Sequence, residues 1–234
     1  MNAAYYAVIP DKNYFMAEAN GYPAMDYQEL LTAASAIQGQ YIDIFPLLQL
    51  EDYYTTDSHW RQECIVPVAQ ALAEAMGTRA DGPEAYREES RDGFYGVYAG
   101  QSAISTPPDA ITTMNSEVTD SAIVTSPEHP GETMPVYNWK DFEGMDPYET
   151  YLSGAEALLE IENPLADNDR HLVLFRDSFG SSLSPLLISA YRHVTVVDLR
   201  YMASAVVNQM VDFENADVLF LYSTGMFNAG ATIK

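Results

Sequence analysis

The sequence predicts an α/β fold of three layers, α/β/α, around a mainly parallel sheet, with a loop- and hairpin-rich insertion over residues 81–149. Three observations lead there. The first 46 residues spell strand, helix, strand. A second alternation of strands and helices begins at residue 172. Between them helical periodicity fades, and Gly, Pro, Ser, Thr and Tyr become frequent. Alternating β and α segments are the mark of a parallel sheet with crossover helices. The chain has 234 residues, which suits one domain over residues 1–234 with a sizeable core.

Residues 5–9 read as a strand stopped by Pro10 and Asp11, and residues 12–23 as a loop. From Asp26, apolar residues at Tyr27, Leu30, Leu31, Ala34 and Ile37 fall at helical spacing on one face. Asp26 with Glu29 three residues on is a capping-box pattern, and Gly39 suits the C-cap. Residues 41–45 read as a second strand, ended by Pro46. A polar, aromatic loop at residues 53–60 leads into a helix that runs to about Met76, with Ile65, Ala69, Leu72, Ala73 and Met76 on one face. Pro67 should end or kink its first turn, and Gly77 closes it.

Within the insertion, residues 94–98, 122–124 and 134–137 read as short strands. Long ordered loops on a rigid scaffold are often functional, with a disordered flap as the alternative here. Residues 150–152 and 158–161 flank Ser153-Gly154 as a hairpin, with a short helix over 155–159 as the competing reading. Then come strand 172–175, a helix to Tyr191, strand 194–198, a helix over 203–213 and strand 218–222.

One stretch organises the chain: Leu172-Val173-Leu174-Phe175-Arg176-Asp177-Ser178-Phe179-Gly180. A buried strand stops at a charged pair and a helix begins, so Ser178 sits on a strand-to-helix turn at the carboxyl end of a strand. Open α/β sheets bind ligands there, and the helix N-terminus stabilises an anion. A serine hydroxyl needs a base within about 2.6–3.2 Å to act as a nucleophile. Only four histidines are present. His171 and His193 precede buried strands at the end opposite Ser178, and His129 lies in the insertion. His59 has Asp57 two residues earlier and Trp60 beside it. Imidazole exchanges protons near neutrality, and a carboxylate on its other nitrogen fixes the tautomer. Residues two apart in an extended segment share a side, so Asp57 and His59 supply orienter and base.

The composition is acidic: 34 acidic against 11 basic residues, a net charge of −23. A basic nucleic-acid surface and adhesion to anionic lipid are both disfavoured. The single cysteine, Cys64, excludes an internal disulfide. No apolar run approaches ~18 residues, so no membrane insertion is expected, and the N-terminus lacks a signal-peptide pattern. Because the first strand begins near Tyr5, an N-terminal segment is expected to be missing. Asp57 and His59 are too few ligands for a metal site, and no Gly-rich phosphate loop occurs, so no cofactor is expected. Phosphoryl transfer through Asp177 would need a second acid two residues on, where Phe179 stands.

Thr56-Asp57-Ser58-His59-Trp60 resembles the Asp-His-His-Trp signature of the DHHW proteins, with Ser58 in place of the first His. These belong with the SGNH-hydrolase-like proteins, which include the bacterial alginate O-acetyltransferases. Arg176-Asp177-Ser178-Phe179-Gly180 resembles the Gly-Asp-Ser block of SGNH enzymes, with Arg176 replacing its Gly. Softer echoes are Val8-Ile9-Pro10-Asp11-Lys12, Phe94-Tyr95-Gly96 and Val197-Asp198-Leu199-Arg200-Tyr201. The resemblance implies a flavodoxin-like, SGNH-hydrolase-like fold. It makes Ser178 the nucleophile, His59 the base and Asp57 its orienter, with Asp177 structural. The oxyanion would be held by the Ser178 N–H, by Gly154 as a candidate, and by an Asn that Asn138, Asn208 and Asn228 could each supply. Arg200 could bind an acidic sugar or acyl donor, or form a surface salt bridge. Trp60 could stack on a sugar ring or wedge the loop into the core. The implied activity is serine-dependent O-acetyl transfer or de-esterification on an extracellular or cell-wall polysaccharide, which places the protein outside the cytoplasm, with a cytoplasmic location as the alternative that a single cysteine also fits. Its partners would be that polysaccharide and an acetyl donor, which a membrane acyltransferase could deliver. A catalytically silent carbohydrate-binding module is the alternative from another class.

Overall fold

The computed structural model describes residues 1–102 and 105–228. Along the chain run β1 (Ala4–Ile9), α1 (Lys12–Asn20), α2 (Tyr27–Ala34), β2 (Gln40–Tyr41), α3 (Val66–Ala75), β3 (Arg87–Phe94), α4 (Val97–Ser102), β4 (Asp109–Asn115), α5 (Glu117–Ser121), β5 (Ile123–Thr125), β6 (Leu158–Glu162), β7 (His171–Arg176), α6 (Phe179–Leu187), β8 (His193–Val197), α7 (Ser204–Met210), β9 (Ala216–Ser223) and α8 (Thr224–Asn228). The main sheet has seven strands in the order β2-β1-β9-β7-β8-β6-β5. The pairs from β2 through β8 are parallel, while β6 runs antiparallel to both β8 and β5. β3 and β4 form a separate antiparallel pair.

Strand alternation divides the core between two faces. Leu172 and Leu174 of β7 join Leu72 of α3 and Leu183 of α6 in the larger cluster. Val173 and Phe175 face the other way, against Val207 of α7. Tyr6 and Val8 of β1 pack against Ala34 of α2 on that thinner side. The result is three layers, as the alternating pattern implies, with β7 near the centre of the sheet.

Several local expectations are corrected. Residues 12–20 are helical, not a loop: Asp11 caps the helix by accepting from the Tyr14 N–H, and Gly21 closes it in the left-handed conformation. α2 stops at Ala34 with Ser35 as its C-cap, short of Gly39. Gly39 lies against β1 instead, where a Cβ would stand 2.9 Å from the Ala4 carbonyl oxygen. The strand expected over 41–45 shrinks to β2, because residues 45–47 wind into a 3-10 turn around Pro46. Pro67 sits in the first turn of α3 and starts that helix rather than kinking it.

In the insertion, residues 94–98 are not one strand: β3 ends at Phe94 and α4 begins at Val97. Residues 134–137 contribute only isolated bridges, Val124 with Met134 and Tyr137 with Tyr151. Neither the hairpin nor the helix expected around Ser153-Gly154 forms. Leu152, Ser153 and Gly154 all have positive φ and turn the chain left-handedly, and β6 then pairs with β8 and β5. β4 was not foreseen.

Candidate active site

β7 carries the chain to the sheet edge where α6 starts. Asp177 holds the turn: one carboxylate oxygen accepts the Phe179 N–H at 3.0 Å and the other the Ser223 N–H of β9 at 2.8 Å. With the Gly180 N–H on the Asp177 carbonyl and the Ser181 N–H on that of Ser178, the first turn of α6 is accounted for. The Ser178 N–H donates to no group among the described residues and is the donor left at that helix terminus.

The loop at residues 53–60 delivers the other two groups. It is closed by a bridge between Tyr53 and Trp60 and by the Tyr54 N–H on the His59 carbonyl at 3.0 Å. The Trp60 ring is fully buried, and its Nε1 donates to the Phe179 carbonyl at 3.1 Å and to Ser182 Oγ at 3.0 Å. Gln62 Nε2 adds a bond to the Ser182 carbonyl at 2.6 Å. The histidine loop is thus bolted to the first turns of α6, and its register to Ser178 is fixed by the core. Trp60 is the wedge; burial rules out stacking on a sugar.

His59 Nε2 lies 2.7 Å from Ser178 Oγ, and His59 Nδ1 lies 2.5 Å from Asp57 Oδ1. Burial alone would raise the Asp57 pKa, but hydrogen bonds and charge from His59, with the backbone N–H groups of His59 and Val97, hold it at about 2. Asp57 is therefore ionised at neutral pH and only accepts. Nδ1 must then carry the proton, which leaves Nε2 as the acceptor for the serine hydroxyl. Both Asp57 oxygens are filled: Oδ1 by His59 N–H at 2.9 Å and its ring, Oδ2 by Val97 N–H at 3.0 Å.

Residues outside the two motifs complete the arrangement. Tyr148 stacks on His59, with ring centroids 3.9 Å apart and planes 13° off parallel, and its hydroxyl bonds Ser182 Oγ at 2.8 Å. Gly96 lets α4 approach, since a Cβ there would lie 2.2 Å from the Asp57 Cβ. Asp109 accepts from the Thr55 and Thr56 N–H groups, and Lys12 Nζ donates to the Tyr54 and Asp57 carbonyls. Tyr148 and Asp109 were not singled out in the sequence, whereas Lys12 and Gly96 lie in the softer echoes noted there.

Ser178 and His59 open onto a cleft of about 270 Å³, lined also by Asp146, Glu149, Gly154, Arg176 and Arg200. Arg176, the residue that replaces a glycine in the block, is fully buried. Its Nη1 donates to Asp198 at 3.0 Å and its Nη2 to the Gly154 carbonyl at 3.3 Å, while its Nε is buried without an acceptor. Arg200 reaches the same end of the sheet, as expected, and its guanidinium embraces Asp198 at 2.6 Å. Both arginines are anchored by one carboxylate. Gly154 lines the cleft, but its N–H donates to the Tyr151 carbonyl at 3.2 Å, so the expected oxyanion donor is already engaged. Asn138 donates to Asp141 and Ser153, and Asn208 and Asn228 line separate cavities. None of the three lines the cleft at Ser178.

The mostly parallel seven-stranded sheet with helices on both faces is an SGNH-like α/β fold. Residues 48–197 match the family described as DHHW protein, and the chain belongs to it. A DHHW family protein from Eubacterium siraeum is similar in structure, with a TM-score of 0.78 and 20% identity over 95% of this chain and 78% of that one. Bacillus cereus PatB1, solved with a sulfonyl adduct, gives 0.73 and 18% over 95% and 82%. No curated protein matches the chain by sequence.

Proposed function

We propose that this protein is a serine-dependent acyl-transfer enzyme that places or removes O-acetyl groups on an extracellular or cell-wall polysaccharide. The observation that carries the reading is the unbroken line of hydrogen bonds from Asp57 through His59 to Ser178, 2.5 and 2.7 Å long, at the floor of an open cleft. His59 takes the Ser178 proton as Oγ attacks the ester carbonyl, and Asp57 stabilises the imidazolium. The tetrahedral oxyanion meets the Ser178 N–H at the positive end of α6. His59 then returns the proton to the leaving alcohol. A sugar hydroxyl completes a transfer and water completes a de-esterification.

With p-nitrophenyl acetate, the wild-type chain releases nitrophenol, while Ser178→Ala and His59→Ala fall to the uncatalysed rate. Phenylmethanesulfonyl fluoride adds one sulfonyl group at Ser178, located by peptide mass. Equal turnover in all three proteins would sink the enzymatic reading and leave a silent carbohydrate-binding module. The polysaccharide is read out separately, by acetate content of cell-wall glycans incubated with wild type and with Ser178→Ala.

A further inference from the structure

Tyr201 lines the cleft at Ser178 and also a second cavity. Gly154 and Ala155 form one wall of the cleft, and Arg200 and Tyr201 the other. Ala157, Leu158, Met202 and Ala203, from the same two chain segments, line the second cavity, of about 500 Å³, bounded by Val206 and Met210 of α7. Tyr201, Val206 and Met210 are 53%, 39% and 45% exposed, so apolar surface lies open in this second cavity.

The chemistry of this extension is one-sided. Its one charged side chain, Glu128, already accepts the Ala157 N–H at 2.9 Å through Oε1. Sugar hydroxyls moved there would give up water for few partners, which costs free energy. A hydrocarbon chain loses nothing by leaving water and is stabilised by the burial. The guanidinium of Arg200 lies against the Tyr201 ring, 5.4 Å from its centre, so the residue that lines both spaces is braced.

We propose that this groove seats the aliphatic chain of an acyl group carried on Ser178, so that the protein accepts acyl esters longer than acetate. The proposal rests on the acyl-Ser178 reading above. Ser178 Oγ bonds to the acyl carbon as the C–O bond to the alcohol breaks. The serine proton passes through His59 to that alcohol, and the chain of the acyl group runs past Tyr201 toward α7. Water or a sugar hydroxyl then takes the acyl group, giving its own proton back through His59 to Ser178.

The test is kcat/KM for the p-nitrophenyl acetate, butyrate, hexanoate and octanoate esters. It should rise by about two- to fourfold per added methylene. Met210→Glu and, separately, Val206→Glu should cut the ratio of octanoate to acetate turnover at least tenfold; a ratio is insensitive to loss of folded protein. Steady decline from acetate to octanoate overturns the groove assignment while leaving the acyl-serine reading intact. So does an unchanged ratio in both variants, or a groove variant that impairs only turnover of acetylated oligosaccharides. Failure of the wild type to turn over any ester overturns both.

Discussion

Asp57 shows how much one carboxylate does here. Three N–H groups converge on it, from the His59 ring, the His59 backbone and Val97, and they hold its pKa at about 2 against a burial effect that acts upward. The unfolded value is about 3.9. A carboxyl depressed on folding stabilises the native state above its unfolded pKa, and that stabilisation fades as pH falls through the folded one. The window is therefore about pH 4 down to about pH 2, and the gap corresponds to about 2–3 kcal/mol. Asp57→Asn should remove that part of the acid limb, as read by urea unfolding at stepped pH. An acid limb identical to wild type would mean that the Asp57 bonds add no pH-dependent stability. The same variant presents a neutral amide to Nδ1 and no longer enforces the tautomer. Its kcat for p-nitrophenyl acetate should drop by about 10⁴, while KM stays near its original value.

At the scale of elements, the decisive unit is β7, the Ser178 turn and α6. Gly180 lies over the Arg176 stem: a Cβ there would stand 2.5 Å from the Arg176 Cβ and 2.8 Å from its Cγ. Arg176 cannot swing aside, because Asp198 and the Gly154 carbonyl hold its guanidinium. Gly180→Ala should therefore lift α6 off β7, costing about 1–3 kcal/mol in urea unfolding and lengthening the His59–Ser178 bond. A neutral Gly180→Ala in both stability and nitrophenol release would show that this packing is slack. This unit was legible in the sequence, since an apolar run that stops at Arg176-Asp177-Ser178 has few other readings, and four histidines make the search for a base short. Other parts were hidden for physical reasons. β3 is exposed along most of its length, so Arg-Glu-Glu-Ser-Arg-Asp-Gly carries no apolar alternation to reveal a strand. α1 buries only Ala17 and shows no apolar face. The Tyr148 stack on His59 and the Val97 N–H on Asp57 are long-range contacts made by loop geometry. Gly154 failed as an oxyanion donor because its left-handed turn gives its N–H to Tyr151, which no local pattern announces.

At the scale of the whole molecule, the dominant fact is a charge of −23 from 34 acidic and 11 basic residues. Among the described residues, few acids find a cation. Arg176 and Arg200 at the cleft share Asp198, Arg170 holds Asp217 at 2.7 Å, and the other Arg–carboxylate contacts among the described residues are pairs of 3.7–3.8 Å with at least partly exposed side chains. Such surface pairs contribute little, so the unpaired carboxylates repel one another and disfavour the compact state. The Debye length falls from about 30 Å at 0.01 M salt to about 3 Å at 1 M. Raising NaCl from 10 mM to 0.5 M should therefore raise Tm, by about 2–4 °C for each kcal/mol of repulsion relieved in a chain of this size. Sucrose, which strengthens burial without screening charge, separates the two effects: the NaCl gain should shrink in a variant with six surface Glu changed to Gln, and the sucrose gain should not. A Tm independent of NaCl would show that the carboxylates are too dispersed to act together. Asp57 is buried, His59 and Ser178 are half-buried in the cleft, and p-nitrophenyl acetate is neutral. Its turnover at 25 °C should change far less with NaCl than the melting temperature does, so that one titration reads the charge of the molecule and the other the chemistry of its site.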